Sequence, residues 1–262
     1  MFQGAKVTLF SAWEPCMDRF GSSKLRIGWA LACLFVTGLV VMAIRGEQGD
    51  GGSQILLFGT AIPLGADSLR SYTVGNLQGA MYWAVSLVVL LGAFGPVSQW
   101  TAAAARAERF KGFFAGTGLG FAHGLFLSQL ALIPVWALSW RLLGEAFPPE
   151  LLRADLHGLL LGLQMLLWAV LLARLFRSSA GLALLLTLLL RELGPRLSFF
   201  LDFGPDLGWS AGQVKGLEVI VRLLPMAQLP SDPFSPLALP LSIGGPMVLG
   251  VLAMLLPARG RK

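Results

Sequence analysis

Apolar runs of about 20 residues recur along this chain, and no other feature constrains its fold as much. A helix needs about 20 predominantly apolar residues to cross roughly 30 Å of hydrocarbon. Six stretches meet that demand: Ile27–Ile44, Gln78–Val97, Phe113–Trp140, Leu156–Ala173, Ser179–Leu201 and Leu237–Leu256. Helix is the expected form, because in lipid each backbone N–H and C=O must be satisfied within the segment. The ten-residue alternation of a membrane barrel is not seen in the sequence. The third run is long enough to tilt or to break at Pro134. The fifth is interrupted by Arg191-Glu192 and Pro195 and is expected as a shortened span followed by a half-helix. Composition agrees. Hydrophobic residues make up 55% of the 262 and charged residues 13%, about half the charged share of a typical soluble protein. Too little polar surface exists to cover a globule of this size in water. That excludes a soluble enzyme, a disordered chain and a disulfide scaffold. The expected fold is an all-α, polytopic membrane protein, with residues 1–262 as one transmembrane domain.

Orientation follows from the placement of Lys and Arg beside the spans. One side takes the N-terminus, the loops after spans two and four, and the C-terminus. It holds Lys6, Arg19, Lys24, Arg26, Arg106, Arg109, Lys111, Arg174, Arg177, Arg259, Arg261 and Lys262. Against these twelve bases stand three acids, Glu14, Asp18 and Glu108, leaving +9. The other side has 8 bases and 11 acids, a net of −3. The positive side is expected to face the cytoplasm, giving six spans with both termini inside, in the cell's inner membrane. The bases are scattered between apolar runs, so the formal charge of +6 does not point to nucleic acid.

The expected outer loops run from about Arg45 to Leu77, Arg141 to Asp155 and Asp202 to Pro236. The glycine-rich Gly46–Gly52 reads as a flexible outer turn. The outer segment from Gly204 carries Pro205, Pro225, Pro230, Pro233, Pro236 and Pro240 around a short amphipathic helix, Val214–Leu224. Short half-helices dipping into the outer leaflet would suit it. No cytoplasmic loop exceeds about 15 residues, which leaves no room there for a nucleotide-binding or catalytic domain.

Signatures of chemistry are sparse. No GxxxxGK[ST] or HExxH run and no paired intramembrane aspartates are present, so neither ATP binding nor metal- or aspartate-dependent proteolysis is expected of this chain. Cys16 and Cys33 have no metal-ligand spacing and read as small apolar residues. The first run is followed by Arg45-Gly46-Glu47-Gln48 rather than a small-x-small site, so it reads as a retained span and not a cleaved leader. No metal, cofactor or catalytic group is assigned. Polar residues do fall inside spans: His123 and Gln129 in the third, His157 and Gln164 in the fourth. They read either as a relay or as interhelical hydrogen bonds, and the absence of an intramembrane acid favours the second. Arg191-Glu192 reads as a site or as a charged pair snorkelling to the outer interface. Gly116, Gly120 and Gly124, spaced by four with Gly118 between them, mark a helix face where backbones can approach closely.

Two further stretches look like contact elements. Trp100–Lys111 combines strong helix formers with Arg106, Glu108, Arg109 and Lys111, and could lie along the membrane or dock a partner. Phe10–Phe20 places Phe10, Trp13, Met17 and Phe20 at helical spacing and reads as an interfacial amphipathic helix bent by Pro15.

This order of elements resembles the ABC-2 type permeases, the membrane subunits of ABC exporters. Local likeness lies in LLARLFRSSAGLALLLTLLL (Leu171–Leu190), similar to the family's short link between spans four and five. It lies also in VIVRLLPMAQL (Val219–Leu229), similar to its outer helix ending in proline. The resemblance implies that Trp100–Lys111, with Trp100, Arg106, Glu108, Arg109 and Lys111, is the coupling helix gripped by an ATPase subunit. It makes Phe10–Phe20 the interfacial elbow. It also implies a homodimer or heterodimer of permeases around a translocation path, with ATP hydrolysis left to separate subunits. Where the family carries an acid and a Gly-Thr-Leu run after its second span, Ser98–Phe110 has only Glu108. Two other classes fit the residues: a non-enzymatic anchor in a secretion or motility complex, and a gradient-driven carrier.

Overall fold

The computed structural model describes residues 23–49, 52–64, 69–101, 106–176, 180–204, 206–224 and 244–255. The expected elbow Phe10–Phe20 lies outside them, as do residues 237–243 and 256 of the sixth expected span. The protein is mostly helical. In chain order come α1 (Ser23–Ala43), strands β1 (Ile44–Gly49), β2 (Gly52–Leu57) and β3 (Thr60–Pro63), then α2 (Leu69–Thr101) and α3 (Arg106–Leu143). There follow α4 (Pro149–Phe176), α5 (Ala180–Phe203), α6 (Ala211–Leu223) and α7 (Gly245–Leu255). Two compact units divide the chain, Met1–Val88 with Leu125–Leu159 and Val89–Gly124 with Leu160–Lys262.

Three of the described helices are long and apolar enough to cross a membrane: Leu69–Phe94, Gly116–Leu143 and Pro149–Leu175, of 26, 28 and 27 residues. At 1.5 Å per residue each is about 40 Å long, more than the hydrocarbon requires. They correspond to the second, third and fourth expected spans. Two of them begin earlier than their apolar runs. α2 starts nine residues before Gln78 because its first amide, Leu69 N–H, donates to Ser53 Oγ at 3.2 Å, satisfying a group that the helix itself cannot. α4 starts at Pro149, where the missing proline N–H is no loss, and the amides of Leu151 and Leu152 both donate to the Pro148 carbonyl at 3.0 Å.

The all-α expectation holds for the helices and fails between α1 and α2. Part of the expected outer loop is a three-stranded antiparallel sheet in the order β1-β2-β3. Ile44 pairs with Leu57 and Gly49 with Gly52, while across the second ladder Leu57 pairs with Thr60 and Gln54 with Pro63. The glycine-rich stretch is therefore only partly a turn, since Gly46 sits mid-strand. A Cβ there would lie 2.5 Å from the Leu142 carbonyl oxygen, so that strand can cross the end of α3 only as glycine.

α1 contains the 17-residue apolar stretch Ile27–Ala43, and Ile27, Leu31, Phe35, Leu39 and Met42 form an exposed apolar stripe along it. α3 is unbroken at Pro134. α5 runs continuously through Pro195, in place of the expected short span and half-helix. Its Leu190, Leu197 and Leu201 pack on Val221 and Leu224 at the end of α6. α6 begins three residues before the predicted Val214. Its N-cap Ser210 accepts from the Gln213 amide, and the Gln213 side chain accepts from the Ser210 amide, a closed capping box.

The small-residue face of α3 is a packing face. Gly116, Gly120, Gly124 and Ser128 are buried at intervals of four, whereas Gly118 is exposed. A Cβ at Gly124 would lie 2.8 Å from the Val89 carbonyl oxygen and 2.9 Å from its Cα on α2. On α4, a Cβ at Gly158 would meet Val85 Cβ at 2.8 Å. We expect Gly124→Ala to destabilise the detergent-solubilised protein by about 1–3 kcal/mol through this overpacking. Gly118→Ala, which meets nothing within 4 Å, should be neutral or stabilise by roughly 0.5–1 kcal/mol. Thermal unfolding of the two variants side by side checks the contrast, and equal midpoints would refute it.

Candidate functional site

The residues predicted to contact a partner occupy the ends of two long helices. Trp100 lies in the last turn of α2, and Arg106, Glu108, Arg109 and Lys111 lie in the first turns of α3. Residues 102–105 between them are outside the described set. Trp100–Lys111 is thus not one helix of its own among the described residues.

At the opposite ends of α2, α3 and α4 an ion-pair cluster forms around Arg70. Arg70, one residue into α2, donates from Nη1 to Glu145 Oε1 at 2.8 Å and from Nη2 to both carboxylate oxygens of Glu150 at 3.1 and 3.2 Å. One guanidinium fork thereby links the start of α2, the α3–α4 turn and the start of α4. All three side chains are half-exposed, so the cluster registers helix ends more than it adds stability. The turn itself is made by Gly144, which adopts φ +72° and donates its amide to the Trp140 carbonyl at 2.9 Å. A left-handed glycine of this kind is a common way to end a helix. Ser139 Oγ donates to the Glu145 carbonyl at 2.9 Å, and Trp136 packs on Phe147 with ring centroids 5.2 Å apart. Arg141 Nε donates to the Ile44 carbonyl at 3.0 Å, tying the last turn of α3 to the first residue of the sheet.

Deeper along the same helices lies the group that the sequence reading missed. Gln129 Nε2 of α3 donates to both carboxylate oxygens of Asp155 at 3.1 Å. Asp155 is the seventh residue of α4 and is half-buried, although it was expected in an outer loop. Two residues on one helical hairpin so bring a carboxylate and a carboxamide together inside membrane-length helices. The signal was present in Pro148-Pro149-Glu150, a proline at the first helical position followed by an acid in the first turn.

The other intramembrane polar groups divide. Gln164 of α4 is buried and donates to the Leu224 carbonyl at 3.1 Å, which is the interhelical bond expected of it. His123 and His157 are half-buried on α3 and α4. Arg191 and Glu192 do not act as a snorkelling pair. Arg191 is 1% exposed in the middle of α5, whereas Glu192 is exposed, as the rotation of about 100° between consecutive helical residues dictates. Arg191 continues a buried stripe with Ala183 and Thr187, while Leu182, Leu185, Leu189 and Leu193 form the exposed apolar side. Among the described residues no three His, Cys, Asp or Glu side chains gather to hold a metal ion. What the arrangement offers chemically is hydrogen bonding and charge at membrane depth.

We expect Gln129→Leu, which strips Asp155 of this donor, to destabilise the protein by roughly 1–3 kcal/mol. Replacing both residues, Gln129→Leu with Asp155→Leu, should restore most of that loss, since two apolar partners leave nothing unsatisfied. A thermodynamic cycle in detergent reads this out, and additive losses in the double variant would contradict the pairing.

Set beside known proteins, the chain matches no family model, no curated protein and no solved structure, so its function rests on the residues and geometry described above.

Proposed function

We propose that this chain is the membrane permease subunit of an ABC-2 type export complex. In this reading it crosses the cell's inner membrane six times with both ends in the cytoplasm. Two copies, or one copy and a second permease, enclose the path, and separate ATPase subunits supply the energy. The observation that carries the reading is the charge difference between the two ends of α2, α3 and α4. At one end the sequence supplies Arg106, Arg109, Lys111 and Arg174 against one acid, Glu108. At the other, Arg70, Arg141 and Arg153 are set against Glu145 and Glu150, with Arg70 held between those two acids. Bases in excess belong on the cytoplasmic side. That end also carries Trp100 and the α2–α3 connection, which supports its use as the ATPase contact.

A second reading draws on Asp155. A carboxylate bonded to Gln129 within membrane-length helices is the type of group that gradient-driven carriers use. Transport by reconstituted vesicles that runs on an ion gradient without ATP would favour it.

Charge reversal of Arg106, Arg109 and Lys111 to Glu should release a co-purifying ATPase while the chain still inserts into membranes. Undiminished co-purification would remove the coupling assignment. For orientation, Asp206→Cys, in a background where Cys16 and Cys33 are replaced by Ala, should react with an impermeant maleimide on intact cells. Labelling only after permeabilisation would reverse the topology.

A further inference from the structure

The turn between β2 and β3 combines three features that each disfavour it in water. Phe58 and Gly59 are its two central residues, with Leu57 paired to Thr60 around them. Both central residues have positive φ, +50° at Phe58 and +83° at Gly59, the conformation of a type I′ hairpin turn. Such turns favour Asn or Asp before the glycine, because a bulky L side chain is strained there. Phe58 is the only non-glycine residue with positive φ among the described residues. It is also 77% exposed, with Leu57 and Ile62 exposed beside it. A turn optimised for folding in water would carry Asn at this position.

The sheet's attachments set its depth. Leu69, whose amide donates to Ser53 Oγ, is the first residue of one membrane-length helix. Arg141, whose Nε donates to the Ile44 carbonyl, lies two residues before the end of another. The Phe58 amide donates to the carbonyl of Ala43, the last residue of α1, at 2.7 Å. The sheet is therefore tied to the ends of these helices, and in a membrane that they span it would lie toward the headgroups. The turn also continues the exposed apolar stripe of α1, which ends at Met42, 77% exposed. The other end of the sheet, at Gly49 and Gly52, has no comparable apolar side chain in its sequence, Gln48-Gly49-Asp50-Gly51-Gly52.

We infer that the Leu57–Gly59 turn is a membrane-interface anchor that seats Phe58 at the headgroup–acyl boundary of the lipid surrounding α1. Aromatic residues gather at that depth, where an apolar ring and a polar backbone are both accommodated. Lipid contact rewards the exposed ring that the turn's strain would otherwise select against. The inference rests on the membrane character of the helices and is independent of any ATPase.

The test uses the full chain reconstituted in phosphatidylcholine vesicles. In Phe58→Trp, the emission added to that of the eight native tryptophans should be lost when the lipid carries bromine near the headgroup end of its acyl chains. Bromine near the chain ends should quench it less. Added emission untouched by either lipid overturns the inference, whether iodide quenches it from water or a covering protein surface shields it. A companion pair guards against misfolding. Leu57→Trp alone should be quenched by the shallow bromolipid, and adding Phe58→Asn, which suits the turn better, should relieve that quenching with the far-ultraviolet circular dichroism unchanged. Quenching that persists in the Phe58→Asn chain would show that Phe58 anchors nothing.

Discussion

Close approach of α2 to its neighbours, allowed by glycine, is the contact on which the helical assembly depends. Lipid tails are as apolar as leucine, so helices in a membrane gain little from hiding apolar side chains from one another. They must instead fit. Val85 and Val89, one turn apart on α2, are met by Gly158 of α4 and Gly124 of α3, and at neither glycine is there room for a methyl group. The buried positions of α2 radiate from the same face, through Met81, Ser86, Leu90 and Ala93. Polar bonds then fix what packing leaves adjustable: Gln129 to Asp155 along the α3–α4 hairpin, and Arg70 across its turn.

Much of this was legible in the sequence for one physical reason. A membrane imposes a length and a composition together, and both are written locally. The runs behind α2, α3 and α4 could thus be read directly, as could the small-residue spacing of α3 and the capped helix that ends at Leu223. What was not legible depends on partners distant in sequence. The polar segment Leu69–Leu77 is helical because Ser53 and two acids beyond residue 140 satisfy its first turn. The sheet escaped because IRGEQG and TAIP have neither the length nor the alternation of ordinary strands, and they persist by being pinned to helix ends. The burial of Arg191 was not legible because hydropathy weighs a residue's identity and ignores which side of the helix it occupies.

The functional picture has a division of labour along the helices. Their paired end, with Arg70, Glu145, Glu150 and the sheet, is tied by hydrogen bonds between elements and is built to hold its form. Their basic end carries more bases than acids in its sequence, which in the proposed function suits a surface meant for a partner. In the proposed permease, that asymmetry would give one end to the ATPase contact and the other to holding the helix ends together.

Gly46 has one more effect. Adjacent residues on a strand face opposite sides, so sliding β1 by one position would place Arg45 or Glu47 against the Leu142 backbone where only hydrogen fits. That steric key forbids the nearest misaligned pairing of the ladder, and so the short meander folds in one alignment even though its strands are few and its sequence undistinguished.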